Sequence, residues 1–358
     1  MNPRPPGYFS SEVILYFKSP ALYHSELRAH SPFNYKKFSL LRFLNVADFK
    51  GVSRISLNIH PIILGRVLKV GVLTRNEFSW CSLQLKQALN SRGCGFECFS
   101  FNDLTAYVDF ENGIRFKGKP IKELDAIIVR PIGRGSLEEI IFRMDLLRAV
   151  EGLGVYVVNR AEAIEKAVDK YLSLFLLKKA GLPVPRTIVT ENPRVSLEAF
   201  KKFNSRVVLK PIFGSRGFGI TRVRSRQTLY RLATVLSYYR HVVYMQEYIP
   251  HAREDVRAFV VGDDVVASMR RVGASWRTNI AQGGKPEPYN LPEELREAVL
   301  KACSVLGCEV AGVDVLNPSG EFCINEVNSQ PDWRGLQSVS EVNIAEAIVD
   351  HVVSKVKR

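Results

Sequence analysis

The sequence lacks the features that mark several classes of protein. No apolar run approaches the ~20 residues that a helix needs to span a bilayer, and residues 1–6 lack the charged-then-apolar plan of a signal peptide. The 6 cysteines form no CxxC pair, and no histidine lies at zinc-ligand spacing. We therefore predict a cytoplasmic protein without membrane contacts, whose cysteines are buried free thiols. Cys303 and Cys308 would pair only in a disulfide-tolerant hyperthermophile.

Basic residues are in excess, but they are not gathered into blocks. The formal net charge of +14 favours polyanionic partners, which are nucleic acid, nucleotides or acidic metabolites. Residues 1–66 hold 9 Lys/Arg against 3 Asp/Glu, so +6 of the +14 lies there, and the rest is scattered. This distribution weakens the nucleic-acid interpretation. Four arginines after a glycine-rich stretch suit either a phosphate-facing surface or an ordinary solvated face: Arg216, Arg222, Arg224 and Arg226.

The order of apolar patterns predicts three globular regions after a poorly patterned start. Residues 1–66 show no sustained period and are either an accessory element, a flexible arm or an over-called start. Beyond them, buried strands alternate with amphipathic helices, which indicates an open parallel sheet. The elements of this sheet are strands 67–74, 125–130 and 155–159 and helices 82–92 and 137–152. We predict an open-sheet domain at 67–160, a central domain at 161–248 and a C-terminal domain at 249–358.

A glycine-rich loop between two strands characterises the central region. The apolar strand 207–210 ends in Lys210, glycines follow within 214–219, and a second apolar strand begins at Ile220. Glycines permit close approach of the backbone, so consecutive N–H groups can cradle phosphate oxygens, and Lys210 adds a point charge. The order of residues differs from a Walker A loop and from a Rossmann fingerprint. The alternative is a plain β-hairpin whose turn requires glycine.

Two other stretches of the central region bear on the same site. A strongly helical stretch, 163–180, contains the pair Asp169-Lys170. A helix over 227–240 precedes an apolar strand, 242–249, that runs into the polar residues Gln246 and Glu247. Their backbone and side-chain groups would suit an adenine edge, although a strand that simply ends in a loop has the same pattern.

The C-terminal region begins with a long predicted hairpin. Residues 255–271 turn at 262–264, and antiparallel pairing would bring Arg257 and Arg271 close together. Arginines on a sheet face are usually solvated, but a pair beside a phosphate site would suit a carboxylate or a developing oxyanion. A helix over 292–306 follows a polar, glycine-containing loop.

An acidic cluster lies near the end of the chain. Asp314 stands on an apolar run, 311–316, and a turn signal leads to a second strand with Glu326 and Asn328. Residues two apart in a strand project from the same face, and a hairpin would bring Asp314 beside that pair. Three oxygen-bearing side chains on one face suit Mg²⁺. The alternative is a solvent-facing strand with ordinary acidic residues.

Taken in order, these motifs resemble the ATP-grasp ligases, and within them the RimK-like α-L-glutamate ligases. The resemblance covers roughly residues 67–340, and stretches 133–145 and 163–171 are similar to the archaeal members that act on tetrahydromethanopterin. It implies an α/β (α+β) chain with an ATP-grasp fold preceded by a Rossmann-like open-sheet N-terminal domain. It rests on the joint order of Asp169-Lys170, Lys210 with 214–219, 246–249, 255–257, 277–279, 311–314 and 325–328.

The resemblance also implies roles for single residues around ATP and a metal. Two lysines would contact the phosphates beneath the glycine-rich loop: Lys170 and Lys210, with Gly214, Ser215, Gly217 and Gly219. Other residues would hold the adenine, the ribose and further nucleotide groups: Gln246, Glu247, Tyr248, Asp255, Arg277, Thr278 and Asn279. Mg²⁺ or Mn²⁺, commonly two ions, would be carried by Asp314, Glu326 and Asn328, while Arg257 and Arg271 would stabilise the acyl phosphate and the tetrahedral species after it.

The implied reaction is phosphorylation of a substrate carboxylate by ATP, followed by attack of the α-amine of L-glutamate on the acyl phosphate. The implied acceptor is a pterin-type coenzyme, and the alternatives are a deazaflavin coenzyme, a protein C-terminus or an amino-group carrier protein. A dimer or tetramer is also implied. A different hypothesis is a basic nucleic-acid-binding protein with a lapsed site, and a salt-sensitive DNA shift without Mg²⁺-dependent ATPase activity would favour it.

One segment departs from the family pattern. Members often follow the Glu-Val-Asn stretch with a Pro-Gly turn, whereas here Asp332 follows the proline. This departure leaves the predicted metal ligands unaffected, but it allows the adjoining substrate pocket to differ from that of the family. Trp333 would either stack on a flat substrate ring or pack inside the protein, and Arg334 would either pair with a carboxylate or face solvent.

Overall fold

The structure, a computed structural model, describes residues 62–63, 66–109, 113–214, 217–318 and 320–356. All of them belong to one unit, His60–Arg358. Apart from residues 62, 63 and 66, the predicted extension over 1–66 lies outside the described residues, as do Ser215 and Arg216 of the glycine-rich loop. None of the described helices combines the length and the apolar character needed to cross a membrane.

The first region is an open sheet with helices on both faces. β3, β4, β8 and β9 form a parallel sheet in the order β4–β3–β8–β9, which confirms the predicted open parallel sheet. β1 pairs with β2, and β5, β6 and β7 form a small antiparallel sheet. The elements are β1 (Ile62–Ile63), β2 (Arg66–Val67), β3 (Lys69–Leu73), α1 (Trp80–Ser91), β4 (Gly95–Phe99), β5 (Leu104–Ala106), β6 (Ile114–Phe116), β7 (Lys119–Pro120), β8 (Ala126–Val129), α2 (Leu137–Gly152) and β9 (Tyr156–Val158).

Both faces of the parallel sheet are buried, as a sheet of this type requires. Val72 lies in one core cluster with Leu85 of α1, and Ile127 lies in another with Leu147 of α2. The predicted bounds of α2 are confirmed, since Ser136 and Glu139 form a reciprocal capping box at its start. Local capping therefore fixes where this helix begins.

The central region is an antiparallel sheet covered by two helices. Its strands follow the order β10–β13–β11–β12, and the predicted strand–loop–strand unit around Lys210 is confirmed as the β11–β12 pair. The helices α5 and α6 cover this sheet through a shared core. The elements are α3 (Ala161–Val168), α4 (Lys170–Lys179), β10 (Thr187–Thr190), α5 (Pro193–Ala199), β11 (Val207–Lys210), β12 (Thr221–Val223), α6 (Arg226–Tyr238) and β13 (Val243–Glu247).

The predicted helical stretch over 163–180 forms as two helices, because the chain breaks it at Asp169. Asp169 has φ −79° and ψ 102°, an extended conformation that ends α3. Its carboxylate then accepts hydrogen bonds from Tyr171 N (2.8 Å) and Leu172 N (3.0 Å) and caps α4. Aspartate competes well for helix N-termini, since its side chain satisfies N–H groups that lack intrahelical partners. The break sets Lys170 at the first turn of α4.

The C-terminal region contains a five-stranded antiparallel sheet in the order β16–β15–β14–β17–β18. One face of it packs on α4 and α7, and the other packs on α9 and on the parallel sheet. The elements are β14 (Glu254–Val261), β15 (Asp264–Val272), β16 (Lys285–Pro288), α7 (Glu293–Leu306), β17 (Val310–Leu316), β18 (Cys323–Asn328), α8 (Arg334–Gln337) and α9 (Ile344–Val356).

The cysteines agree with the prediction of free thiols. No disulfide links any of the 6, all of which lie among the described residues, and only Cys98 is not fully buried. Burial raises the pKa of Cys308 to about 12, which keeps this thiol protonated and unreactive at neutral pH. Cys303 and Cys308 are therefore packing residues in this structure.

Candidate active site

A cleft lined by the central and C-terminal sheets gathers most of the predicted nucleotide-binding residues. Its empty volume is about 810 Å³ with open solvent included. The predicted residues that line it are Lys170, Lys210, Gly214, Gly217, Gln246, Glu247, Tyr248, Asp255, Arg277, Thr278, Asn279, Asp314 and Glu326. Four others lie outside the lining: Gly219, Arg257, Arg271 and Asn328. Ser215 falls outside the described residues.

Two lysines converge on this cleft from different elements. Lys170, at the start of α4, donates from Nζ to Gly214 O (2.8 Å) in the glycine-rich loop. Lys210, at the end of β11, donates from Nζ to Gln246 Oε1 (2.6 Å) and Asn325 Oδ1 (3.0 Å). Among the described residues, the one carboxylate within 4.0 Å of either ammonium is that of Glu326, 3.8 Å from Lys170. Two cations with so little anionic compensation suit a phosphate-bearing ligand.

Burial changes the proton affinity of Lys210. Desolvation lowers the pKa of its ammonium to about 8, and the charge of Lys170 acts in the same direction, while Glu326 partly opposes them. An anionic ligand would reverse this shift, because it favours the charged form. Lys210 is therefore a group in the cleft whose protonation we expect to increase when an anionic ligand binds.

A chain of ion pairs includes two carboxylates of the cleft lining, Asp255 and Asp314. Arg257 donates to both oxygens of Asp314 (2.7 and 2.8 Å), and Arg271 reaches Asp314 Oδ2 at 3.1 Å. Arg271 also binds both oxygens of Asp255 (2.7 and 2.5 Å). Burial opposes ionisation of Asp314, but Arg257 and Arg271 outweigh it and hold the pKa of its carboxyl below the usual range. The expected proximity of the two arginines is confirmed, with Asp314 between them.

These pairs constrain the roles predicted for their members. Arg271 is 1% exposed and Asp255 3%, and each satisfies the other's hydrogen-bonding groups. Contact of Asp255 with a ribose, or of Arg271 with an acyl phosphate, would therefore require an exchange of partners. Arg257 is the more accessible of the two arginines, at 16% side-chain exposure against 2%.

The predicted hairpin of acidic residues forms as expected. Asp314 lies opposite Glu326, and Gly312 lies opposite Asn328, in the β17–β18 ladder. Asn328 Nδ2 donates to Gly312 O (3.3 Å), which leaves its side-chain oxygen for a cation. Glu326 is partly exposed and Asn328 is close by in sequence, so these two fit a hard cation. Asp314 fits less well, since arginines hold both of its oxygens.

The described residues contain no group of three or more His, Cys, Asp or Glu side chains arranged around a common point. Glu326 and Asn328 are therefore the residues that would hold Mg²⁺ together with oxygens of the nucleotide, while Asp314 is already engaged by arginines. Magnesium commonly takes few protein carboxylates together with substrate phosphates.

The predicted adenine hinge is held by arginines. Glu247 accepts hydrogen bonds from Arg186 Nε (2.6 Å) and Arg186 N (2.7 Å). The Arg222 guanidinium lies 3.5 Å from the centroid of the Tyr248 ring, a cation–π contact. Arg222 thus packs against Tyr248, which lines the cleft, although Arg222 itself is not a lining residue.

The glycine-rich loop adjoins the predicted segment 277–279. Arg277 Nη2 donates to Ile220 O (2.7 Å), just after that loop. Gly217 has φ +72°, and a Cβ there would lie 2.6 Å from Asn279 Oδ1. Only glycine combines this backbone conformation with this close approach. The loop and the segment together close one side of the cleft.

The sequence analysis gave no role to Asn325, although this residue lines the cleft beside Glu326. Adjacent residues of a strand normally face opposite sides of the sheet, so the two side chains were not expected to share a face. They share one because of an irregularity in the ladder, where Asp314 pairs with Glu326 but Val315 pairs with Ile324. Asn325 is the extra residue of this bulge, which turns its side chain to the same face. His251 and Trp276 also line the cleft, and no pattern singled them out.

The structure shows the environments of Trp333 and Arg334, in the segment that departs from the family pattern. Trp333 is 0% exposed and packs edge-on against Trp80 (6.3 Å) and Phe259 (6.0 Å). Of its two predicted environments, the packing one is confirmed, and a stack on a substrate ring is excluded. Arg334 is exposed.

Comparison with known families identifies two matches that follow one another along the chain. Residues 68–164 match the RimK PreATP-grasp domain, and residues 167–352 match the RimK-like ATP-grasp domain. The chain is 35% identical to the tetrahydromethanopterin:α-L-glutamate ligase of Methanococcus maripaludis, over 81% of this chain and 99% of that protein. It is 31% identical to a probable α-L-glutamate ligase of Pseudomonas putida, over 80% of this chain and 95% of that protein.

Solved structures agree on the fold. The ATP-grasp ligase PsnB, complexed with a minimal precursor, superposes with a TM-score of 0.65 over 81% of this chain and 99% of that chain, at 21% identity. A RimK domain ATP-grasp protein from Sphaerobacter thermophilus has a TM-score of 0.62 over 80% of this chain and 99% of that chain, also at 21% identity. PsnB has also been captured with Mg and ADP. The described residues therefore have the ATP-grasp fold.

Proposed function

Since the chain belongs to the RimK-like ATP-grasp family of ATP-dependent carboxylate–amine ligases, we propose that it joins L-glutamate, through its α-amine, to a carboxylate of a tetrahydromethanopterin-like coenzyme. The observation that carries the proposal is the pair Lys170 and Lys210, which face Glu326 across one cleft. Relatives at 35% and 32% identity that act on tetrahydromethanopterin support this acceptor.

The chemistry proceeds in two steps. A carboxylate oxygen of the acceptor attacks the γ-phosphorus of ATP, the bond to the bridging oxygen breaks, and an acyl phosphate and ADP result. The α-amine of L-glutamate then attacks the acyl carbon, phosphate leaves, and the amine loses a proton as the amide forms. Such reactions depend mainly on alignment and on charge neutralisation. A cleft rich in cations suits that demand.

The residues of the cleft supply these functions. Lys170 and Lys210 would neutralise phosphate oxygens, and Arg257 would stabilise the acyl phosphate beside Asp314. The glycine-rich loop, which contacts Lys170, would close over ATP and exclude water that would hydrolyse the acyl phosphate. Arg271 would act behind Arg257, since Asp255 and Asp314 hold it in place.

We propose that Glu326 and Asn328 hold Mg²⁺ with the nucleotide, and that Asp314 joins them when two ions are bound. Held there, the ion would supply neutralisation of the phosphate charge. Adenine would lie near Glu247 and Tyr248. A cytoplasmic location and a dimer or tetramer belong to the same proposal, and size-exclusion chromatography with light scattering tests the latter.

The test is ADP release with Mg²⁺, ATP and L-glutamate, run with a panel of acceptors and with mass detection of the product. We expect glutamate-dependent ADP release with a tetrahydropterin-type acceptor and a product that has gained a glutamyl residue. A Lys210→Met variant, which removes the phosphate-binding charge, is the negative control. Turnover with only a deazaflavin, a peptide C-terminus or a carrier protein would keep the ligase and replace the acceptor. Tight ATP binding with no glutamate-dependent turnover on any acceptor would refute glutamate as the amine.

A further inference from the structure

The parallel sheet reverses its strand order between β3 and β8. From β3 the chain goes to β4 on one side and later returns to β8 on the other side. In open parallel sheets, ligands lie outside the carboxyl ends of the strands at such a reversal. Arg75 comes two residues after β3, and Arg130 directly follows β8. Arg130 N donates to Leu73 O (2.9 Å), so the two strand ends are joined at this edge.

Arg130 is a buried cation without a counterion from the protein. It is 6% exposed, and its guanidinium lies 4.6 Å from the centroid of the Trp333 ring. No carboxylate of the described residues lies within 4.0 Å of this guanidinium. The Asp332 carboxylate affects the charge of Arg130 only at a longer distance. Its Oδ1 atom instead accepts hydrogen bonds from Cys81 Sγ (3.6 Å) and Arg334 N (3.0 Å). A buried charge of this kind is costly unless an anion pairs with it.

The contrast with Arg271 shows how unusual this environment is. Both arginines are more than nine-tenths buried. Burial disfavours the charged form of each, but Asp314 and Asp255 raise the pKa of Arg271 above its usual value. The pKa of Arg130 remains lowered by burial. Arg271 therefore has its counterions within the fold, whereas those of Arg130 are missing from the part of the chain that the structure describes.

Two more buried donors lie on the adjoining loop. Gln330 Oε1 accepts from Ile132 N (3.2 Å), which leaves the side-chain NH₂ of Gln330 buried without a hydrogen-bond acceptor among the described residues. The Trp333 indole N–H is also buried without one. Buried polar groups are normally hydrogen-bonded, so donors without acceptors point to a missing acceptor. A guanidinium and an amide NH₂ together match the oxygens of a carboxylate.

Arg75 adds a second guanidinium to the same corner. Its side chain crosses Gly133, where a Cβ would lie 2.9 Å from Arg75 Nε and Nη1. Gly133 also has φ +87°, a conformation that favours glycine. The absence of a side chain at position 133 therefore lets Arg75 reach from the end of β3 to the loop after β8. Arg75 is exposed, so it can meet a ligand from the solvent side.

This corner is continuous with the phosphate end of the cleft. Gln330 lies four residues beyond Glu326, so their Cα atoms are at most ~14 Å apart. Gly312 lies opposite Asn328, and a Cβ on Gly312 would lie 3.1 Å from Pro331 Cβ and 3.7 Å from Arg257 Nε. The loop that carries Gln330 therefore packs directly against the strand that holds the predicted metal and phosphate groups.

We propose that Arg130, Arg75 and Gln330 form a binding site for a free carboxylate of an acidic substrate. This inference rests on the proposed glutamate ligation, in which both the incoming L-glutamate and a glutamyl acceptor carry a carboxylate that does not react. The site would orient one of them relative to the γ-phosphate. Arg130 provides the buried charge, Gln330 a directional N–H, and Arg75 the solvent-side charge.

The test is direct binding to the full chain without nucleotide, measured by calorimetry or by tryptophan fluorescence, since Trp333 lies under Arg130. The probes are L-glutamate, which represents the incoming amino acid, and N-acetyl-L-glutamate, which represents an acceptor tail without a free amine. We expect at least one probe to bind saturably and Arg130→Gln to weaken it about 10- to 100-fold, as expected for loss of hydrogen bonds to a charged group. Arg115→Gln, in the small antiparallel sheet, makes the same charge change and should leave binding unaltered.

A second variant covers the case in which Arg130→Gln does not fold. Gln330→Glu keeps the acceptor for Ile132 N and replaces the unpaired NH₂ with an anionic oxygen. It should weaken binding of the same probe at least about tenfold, because a fixed carboxylate competes for the arginines. A response to L-glutamate alone assigns the site to the amino acid, and a response to N-acetyl-L-glutamate alone assigns it to the acceptor tail.

The outcomes separate this site from the proposed reaction. Wild-type affinity in Arg130→Gln, or the absence of binding of both probes to the wild type at high millimolar concentration, overturns the carboxylate site. If glutamate-dependent ADP release persists in Arg130→Gln with unchanged KM for both substrates, the site is refuted and the ligase stands. If the probes bind through Arg130 but no acceptor supports glutamate-dependent turnover, the site stands and the proposed reaction fails.

Discussion

Arg257 and Asp314 lie directly opposite one another in the β14–β17 ladder and form a two-hydrogen-bond ion pair (2.7 and 2.8 Å). Asp314 is 2% exposed, and it also contacts Arg271 (3.1 Å). One carboxylate thus balances two guanidinium groups at the edge of the cleft. Its loss would leave both without full compensation.

We expect Asp314→Asn to lower the free energy of unfolding by about 3–5 kcal/mol, because it breaks a buried ion pair and leaves the arginines unbalanced. Urea denaturation followed by circular dichroism measures this change. Asp350→Asn is the matched control, since Asp350 pairs with Arg92 at an exposed position and should cost at most about 1 kcal/mol. Equal effects of the two substitutions would contradict the role assigned to Asp314.

Lys210 should take up a proton when ATP binds above pH 8. Its pKa is about 8 without ligand, so at pH 9 it is mostly neutral, and the phosphates restore its charge. Calorimetry at pH 9 without added metal, in buffers that differ in ionisation enthalpy, should report an uptake approaching ~1 proton per ATP. Lys210→Met should abolish the uptake and weaken binding. Identical uptake in that variant would assign the proton to another group.

The lowered pKa of Lys210 also predicts how the free energy of unfolding changes at alkaline pH. Its folded pKa of about 8 lies below the ordinary value of ~10.4 for a lysine in an unfolded chain. Between those two values the unfolded chain binds more protons, so the contribution of Lys210 to stability rises with pH. Urea midpoints for the wild type and Lys210→Met, measured across that window, should therefore converge or cross. Parallel curves would contradict the lowered pKa.

Glu326→Ala should abolish Mg²⁺-dependent turnover while leaving the fold intact, because Glu326 is a partly exposed carboxylate opposite Asp314 in the predicted metal site. ADP release over a Mg²⁺ titration and the melting temperature together measure this. Glu321→Ala changes an exposed carboxylate next to the same hairpin and should retain activity. Near-normal turnover in Glu326→Ala would remove Glu326 from the metal site.

Gly217→Ala should raise the KM for ATP about fivefold to tenfold, since it strains a left-handed backbone and displaces Asn279. Gly181→Ala is a matched control, because Gly181 also has positive φ (+85°) but has no atom within 4 Å of a Cβ. Both variants should lose stability to a similar degree, and only the first should change the KM. An unchanged KM in Gly217→Ala would show that this contact does not shape the nucleotide site.

Local patterns predicted much of the fold and of the site. The hairpin that sets Asp314 opposite Glu326 follows from two short apolar runs and a turn signal, which act over a few residues. The break at Asp169 was missed, although aspartate before a helical run is itself a capping signal, because the surrounding helical pattern is strong. The bulge at Asn325 was missed for a different reason, since the register of a ladder depends on the partner strand.

The sequence by itself determined most of the order of helices and strands, the family and most of the charged residues that line the cleft, because these depend on short-range periodicity and on motif order. Only the tertiary structure decided which charges are paired. Asn159, the residue after β9, shows the distinction. Its side-chain oxygen accepts from Glu309 N (2.8 Å) and Val310 N (2.9 Å), and its side-chain NH₂ donates to Val310 O (2.6 Å) and Ser329 O (2.5 Å). These bonds join the end of β9 to residues 150 to 170 positions away. Arg271 likewise forms ion pairs with two carboxylates from two other strands, whereas Arg130 forms none with the described residues. Such pairings follow from the packing of distant segments and from the cost of leaving a buried polar group unsatisfied, which no local pattern records.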